Sequence, residues 1–276
     1  MDQRMRSEIA MAFGSIAVEA GRAIMAVRGS ATRVQQKSDG SPVTQADIEA
    51  DRIICQRLAR LLPDVPVVTE EASETHRFAV TDRFILVDPL DGTREFASGR
   101  DEFTVNIALI EHGEPAAGVV YAPALNRLYV AGASAFRADV RPADALVGSQ
   151  AMRALTTSAV PSEGLRAVAS YSHLDPATRN WLEERSIGEL RPAGSLLEFC
   201  VIAEGEADVY PRLAPTMEWD TAAGHAVLVA AGGCVVQVDD LPLRYGKSQT
   251  GFRNEPFIAW GTRHSCDSDR IVQDLI

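Results

Sequence analysis

The chain has 276 residues, 46% hydrophobic and 24% charged, an ordinary globular composition that excludes disorder, collagen and coiled coil and suggests one large domain or two closely packed ones. With 27 Lys and Arg against 38 Asp and Glu, the formal charge is 27 − 38 = −11. An acidic surface repels phosphodiester backbones, so a nucleic-acid polymer is a poor partner, whereas a small phosphorylated metabolite is admissible if cations bridge the like charges.

Charges at Arg4, Arg6, Glu8, Glu19 and Arg22 interrupt any signal-peptide core, and no uninterrupted apolar run reaches the roughly 18 residues of a membrane span. Ile9, Phe13, Ile16, Ala20, Ile24 and Val27 recur at steps of three or four, which predicts an amphipathic first helix with Gly29 as its C-cap. Gln35 to Pro42 is polar and turn-rich and reads as an exposed, mobile loop. A second helix starts near Thr44 and Gln45, carries Ile48, Ile54, Leu58 and Leu61 on its apolar side and ends at Pro63. The period then changes. Val65 to Thr69 and Arg83 to Asp88 are apolar runs of strand length, and Phe103 to Glu111, 119–121 and 128–130 alternate. With glycine and proline turns between them, they predict an antiparallel meander. The weakly periodic stretch 137–150 is the best subdomain boundary. Beyond it, strands (LRAVASY, around Glu189, ADVY, CVVQV) interleave with helices (177–184, from Ser195, 220–230), which suggests an α/β layer. The expected architecture is therefore an α/β sandwich: an α+β subdomain over 1–140 with an antiparallel sheet, and an α/β subdomain over 141–276. Cys55, Cys200, Cys234 and Cys266 form no C-x-x-C pair and read as buried thiols of a reducing compartment. The cytoplasm is the expected location, with peripheral membrane association left open.

Three acidic signals stand out: Glu70-Glu71 after the strand VPVVT, DPLDGT (Asp88 to Thr93) at the end of RFILVD, and WDTAAG (Trp219 to Gly224) at a helix start. Pro89 fixes φ and bends the strand end, so Asp88 and Asp91 can converge with the Leu90 carbonyl between them. Gly92 permits a turn that presents backbone N–H groups to an anion. Each signal alone has a plainer reading: DPLDGT as a surface turn, Glu70-Glu71 as solvated acids, Asp220 as an N-cap, Asp47 as a helix-start acid. In combination they do not. Close carboxylates repel by roughly 4 kcal/mol per pair at an effective dielectric of about 20, so a fold that gathers them needs compensation. Mg²⁺, a hard cation that takes a few carboxylates plus phosphate oxygens, is the natural one. Five histidines without H-x-x-x-H spacing argue against zinc or copper. There is no nucleophile elbow, no G-x-G-x-x-G and no P-loop.

SPVTQADIEAD, TEEA, LVDPLDGTREF, EFTVNIALI, GVVYAP, EGEADVYPR and EWDTAAGHAV follow one another between Gly40 and Gly233. This ordered set resembles the inositol monophosphatase superfamily of Mg²⁺-dependent, lithium-sensitive phosphatases, and within it the 3′(2′),5′-bisphosphate nucleotidase branch. The resemblance implies a layered αβαβα sandwich of the sugar-phosphatase type, with the metal site where the two halves meet. It implies that Glu70, Asp88, Asp91 and the Leu90 carbonyl ligate Mg²⁺, and that Asp220 completes a second site, with two or three cations in all. Asp47 and Thr93 would position and deprotonate the attacking water. Gly92 and Thr93 N–H groups would hold the scissile phosphate. Gly194 and Ser195 fall where the family contacts the sugar or ring, and they are equally an ordinary helix start. The implied activity is removal of the 3′-phosphate of adenosine 3′,5′-bisphosphate. An inositol-1-monophosphatase or fructose-1,6-bisphosphatase would share the site, and a non-catalytic phosphate-metabolite sensor is the alternative of another class. Thr69 stands where many inositol phosphatases have glycine, and Arg94 where the nucleotidase branch often has lysine, which bears on substrate preference more than on chemistry. Tyr171 and Tyr210 are candidates to stack on an adenine or to fill the core. A homodimer is left open.

Overall fold

The structure, a computed structural model, describes residues 1–28, 35–36, 42–77, 80–144, 152–170 and 174–262, with only the backbone of 35, 36 and 42. Gly29, Tyr171, Cys266 and most of the loop around 35–42 lie outside the described residues.

Two helices open the chain. α1 (Gln3–Val27) starts at Asp2, whose carboxylate accepts the Met5 N–H at 2.7 Å. α2 (Gln45–Leu61) starts in a capping box, in which Thr44 and Asp47 cap each other's backbone. Its buried face runs Ala46, Asp47, Ala50, Ile54 and Leu58, at steps of three and four. Ile48 and Leu61, expected on that face, lie off this stripe and are 47% and 39% exposed. Among the described residues α1 is the one helix long and apolar enough to cross a membrane by length and composition. Ile9, Phe13, Ile16 and Ile24 instead pack it into the core.

The first sheet has seven strands in chain order: β1 (Val67–Thr69), β2 (Arg83–Asp91), β3 (Thr104–Glu111), β4 (Glu114–Ala122), β5 (Arg127–Ala131), β6 (Ala135–Asp139) and β7 (Arg153–Ala154). All neighbours are antiparallel except β1 and β2, which run parallel. The meander reading therefore fails at its first strand: the segment from Glu70 to Asp82 crosses back rather than turning as a hairpin, because a parallel pair needs a crossover. The division at residue 140 stands as a proposal; β7, from beyond it, pairs with β6.

The second sheet comprises β8 (Leu165–Ser170), β9 (Ile187–Ala193), β10 (Val209–Arg212), β11 (Cys234–Gln237) and β12 (Phe257–Trp260), in the order β9-β8-β10-β12-β11. β9, β8 and β10 are parallel, and β12 joins antiparallel. α4 (Pro176–Glu183) covers one face through Trp181 and Leu182. Between the sheets lie α5 (Leu197–Ala203) and α6 (Ala222–Ala230), which share one core with Leu86, Val120 and Tyr129 of the first sheet and Val168, Val235 and Phe257 of the second. The layers run α1/α2, first sheet, α5/α6, second sheet, α4, an αβαβα sandwich. α6 packs so tightly on α5 that a Cβ on Gly224 would lie 2.6 Å from the Phe199 ring. Tyr210 is a buried residue packed at right angles to Phe199 and Phe257, with centroids 5.4 and 5.8 Å apart, and it also borders the acidic cavity described below. Cys200 is a buried free thiol and Cys55 a half-buried one. Cys234 is disulfide-bonded, against the expectation of free thiols.

Candidate functional site

Three separate stretches deliver carboxylates to one place. Asp88 and Asp91 end β2, where Pro89 cannot donate to the ladder and the register with β3 slips between them. The Leu90 N–H turns back to Asp88 Oδ1 at 3.0 Å and fixes that side chain. Glu70 follows β1, its N–H bonded to the Val87 carbonyl of β2 at 3.1 Å. The parallel pairing that the sequence hid is thus what sets Glu70 beside Asp88. Asp220 arrives 220 − 70 = 150 residues after Glu70, in the turn before α6, with Oδ2 accepting the Met217 N–H at 2.8 Å. One carboxylate oxygen each of Glu70, Asp88 and Asp220 lies within 4.8 Å of the others. Asp91 is outside this tight group but lines the same cavity, of about 350 Å³, with Leu90, Gly92, Thr93, Gly194 and Ser195.

Asp88 is buried, and desolvation holds its carboxyl well above the ordinary range, with Glu70, Asp91 and Asp220 pushing the same way. Asp91 is raised likewise, by desolvation and then by Asp220 and Glu198. Among the described residues, neither Asp88 nor Asp91 makes a salt bridge to a Lys or Arg, and the largest contributions to both shifts all raise the pKa. An all-oxygen set of like charges gathered in one cavity fits a hard divalent cation.

Asp47 and Thr93 meet across the cavity wall. Asp47 is buried at the start of α2, and Thr93 opens α3 (Thr93–Ala97). Asp47 Oδ2 accepts the Thr44 N–H at 2.7 Å and the Thr44 hydroxyl at 2.5 Å. The Thr93 hydroxyl is 3.0 Å from Asp47 Oδ1 and 3.2 Å from the Leu90 carbonyl oxygen. Desolvation raises the Asp47 carboxyl, against the pull of those hydrogen bonds. Gly92, at φ 86°, makes the turn that lets β2 run into α3, with no side chain capping the helix start. The Ser195 hydroxyl donates to the Glu102 carbonyl at 3.0 Å, and Ser195 O accepts the Thr104 hydroxyl at 2.9 Å, so this residue ties the α5 start to the start of β3. Ser195 and Leu196 both take positive φ, 57° and 61°, which delays the predicted helix until Leu197.

Three groups here escaped the sequence reading. Glu198, an acid inside the apolar run SLLEFC, is buried at the cavity, and burial pushes its carboxyl up to about 7. The signal was present, since a lone Glu among core residues is seldom buried without purpose. Arg212 also lines the cavity, and nothing in its local sequence marks it. The third is His76. Its ring stacks on Trp219 with centroids 4.6 Å apart, and its Nε2 is 2.8 Å from the Thr69 carbonyl oxygen, which can only accept, so Nε2 carries the proton. Thr69 precedes Glu70 and Trp219 precedes Asp220, so one imidazole ties the two chain stretches that bring those acids together. A ring contact plus a hydrogen bond is worth about 1–3 kcal/mol. If these acids hold a divalent cation, His76→Ala is expected to weaken its binding about tenfold, as read by a metal titration. His225, by contrast, bonds the Tyr245 hydroxyl at 2.9 Å, and burial lowers its pKa to about 3, so it is a packed, neutral core residue.

The chain belongs to the inositol monophosphatase family, whose family model matches residues 5–262. It is 42% identical over 245 residues to the 3′(2′),5′-bisphosphate nucleotidase CysQ of Escherichia coli K12, covering 86% of this chain and 96% of that one. To the CysQ nucleotidase of Salmonella typhimurium it is 43% identical over 225 residues, covering 80% and 87%. Among solved structures, CysQ of Bacteroides thetaiotaomicron, a bacterial member of the family, superposes with a TM-score of 0.78 at 36% identity, covering 92% of this chain and 97% of that one. A Thermotoga maritima IMPase does so with a TM-score of 0.70 at 26% identity, covering 91% and 92%.

Proposed function

We propose that this protein is a Mg²⁺-dependent phosphomonoesterase that removes the 3′-phosphate of adenosine 3′,5′-bisphosphate, giving AMP and phosphate. The observation that carries the reading is the convergence of Glu70, Asp88 and Asp220 oxygens to within 4.8 Å in one cavity. Relatives named 3′(2′),5′-bisphosphate nucleotidase, at 42% identity, support the substrate class.

In this reading Glu70, Asp88, Asp91, the Leu90 carbonyl and Asp220 hold two or three Mg²⁺. The cation supplies positive charge against the phosphate oxygens and lowers the pKa of water. The chain's own groups do the rest. The Thr93 hydroxyl, donating to Asp47 Oδ1, takes a proton from the attacking water as Asp47 takes the hydroxyl's own. Burial raises the Asp47 carboxyl above its ordinary value, the direction that favours a general base, and the two Thr44 donors keep the carboxylate turned toward Thr93. The water oxygen bonds to phosphorus, the bond from phosphorus to the ribose 3′-oxygen breaks, and that oxygen takes a proton from solvent and leaves as a hydroxyl, while Asp47 later returns its proton to solvent and closes the balance. Gly92 and Thr93 N–H groups, at a helix start without a side-chain cap, are assigned to the phosphate, and Gly194 and Ser195 to the sugar. Positioning and charge account for the catalysis, with no covalent intermediate on the protein. The proposed compartment is the cytoplasm.

Phosphate release by the purified protein with Mg²⁺, compared over adenosine 3′,5′-bisphosphate, inositol 1-phosphate and fructose 1,6-bisphosphate, tests the reading. Adenosine 3′,5′-bisphosphate is expected to lead in kcat/KM by more than tenfold. A lead by either other substrate reassigns the enzyme within the family, and binding without turnover makes it a sensor.

A further inference from the structure

The cavity that gathers the acids also holds two arginines, Arg94 and Arg212. Two half-buried arginines elsewhere in the molecule show what a committed guanidinium looks like. Arg166 makes a two-pronged ion pair with Asp208 at 3.1 and 2.6 Å, and Arg137 pairs with Glu204 at 2.9 Å. The Arg212 guanidinium makes no ion pair among the described residues, and its Nε is buried with no hydrogen-bond partner. A buried donor left unsatisfied costs about 1–3 kcal/mol, which a fold does not retain at a cavity wall without a use. Arg212 is also well anchored. It ends β10, opposite Phe257 of β12 in the sheet ladder, so its backbone is fixed, while its head group makes no hydrogen bond or ion pair among the described residues and acts on Glu198 through its charge alone. Arg94 lies on α3, one residue after Thr93, and its side chain makes no hydrogen bond or ion pair among the described residues.

A phosphate transferred at the carboxylate cluster meets its positive charge there. A second phosphate on the same substrate would meet Asp91, Glu95 and Glu198 in this cavity unless cations of its own received it. Guanidinium is the side chain best shaped for that, with a planar fork that engages two phosphate oxygens at once. An inositol monophosphate presents neutral hydroxyls instead and gives an uncommitted arginine nothing to bind. We propose that Arg212, assisted by Arg94, receives the non-transferred phosphate of a bisphosphorylated substrate and is the specificity-determining residue for that class. The proposal rests on the phosphatase reading above and adds to it the group that tells two phosphates from one.

The test compares adenosine 3′,5′-bisphosphate with adenosine 3′-monophosphate, which has the same reacting centre and lacks the second phosphate. In Arg212→Gln, kcat/KM for the bisphosphate is expected to fall at least 30-fold, mostly through KM, while that for the monophosphate stays within threefold. Arg212→Lys, which keeps the charge and loses the fork, is expected to fall between the two and serves as the readout if the Gln variant fails to fold. Equal losses on both substrates, or no loss on either, overturn the proposal. A parent enzyme that releases phosphate from neither substrate with Mg²⁺ overturns the phosphatase reading and the proposal with it.

Discussion

Asp88→Asn is expected to lower kcat at saturating Mg²⁺ by about 10³-fold or more, equivalent to about 4 kcal/mol of transition-state stabilisation. The substitution keeps shape, and the amide oxygen can still accept the Leu90 N–H that holds the side chain at 3.0 Å. What it removes is one charge from the group of Glu70, Asp88 and Asp220. Stability should move the opposite way. An acid whose folded-state pKa is raised binds its proton more tightly in the folded chain. Its contribution is therefore present below the unfolded carboxylate value of about 3.9 and is lost as pH rises toward the folded value. Asp88 and Asp91 are both raised well above the ordinary range. The chelator-treated parent should accordingly lose thermal stability as pH rises from about 4, and Asp88→Asn should flatten that slope and melt higher than the parent above that pH. Added Mg²⁺ should raise the parent melting temperature strongly, since ligand at 100 times Kd adds about 2.7 kcal/mol, and raise that of the variant little. Unchanged turnover in the variant, or a parent melting temperature indifferent to Mg²⁺, would remove the metal role.

Gly92→Ala is the second large effect. The residue sits at φ 86°, a region costly to any side chain, and a Cβ there would run into Ser195 Oγ and lie 2.9 Å from the Glu102 carbonyl oxygen. Ser195 is itself hydrogen-bonded to that carbonyl and cannot simply swing away. The expected cost is about 2–4 kcal/mol of stability, from strain plus collision. The surviving folded protein should lose more than about 100-fold in kcat, because the shift moves Thr93 relative to Asp47 and displacements of about 1 Å have that consequence. Gly99→Ala is the control: φ there is 78° and nothing lies within 4 Å of the added carbon, so only the backbone cost of about 1 kcal/mol applies. Melting curves and turnover on the two variants separate crowding from conformational strain. Equal behaviour would mean that the close fit of Gly92 against Ser195 has no functional weight.

What was legible in the sequence had local chemistry or a local period. The acids at strand ends, the Pro89 bend and the Gly92 turn are carried by adjacent residues, and Thr44 with Asp47 forms a motif four residues long. Helices α1 and α2 announced themselves by apolar steps of three and four. The hidden features depend on partners far along the chain. Val67 to Thr69 reads as a strand, but nothing in it says that its neighbour runs parallel. His76 is unremarkable until Trp219 lies against it. Ser195 and Leu196 hold left-handed backbone because Glu102 and Thr104 grip the former, not because their own side chains favour it. Tyr210 read as either a core ring or a nucleobase platform, and in the fold it packs on Phe199 and Phe257 at the border of the cavity.

The central pair of helices, α5 and α6, has one more consequence. Both sheets lay their inner surfaces on the same two short rods, and those rods come wholly from the later part of the chain. A polypeptide severed near residue 140 would leave Phe84, Leu86, Val120 and Tyr129 with no cover, an oily surface prone to self-association. The halves are thus not interchangeable modules, and neither can be borrowed as a free-standing scaffold.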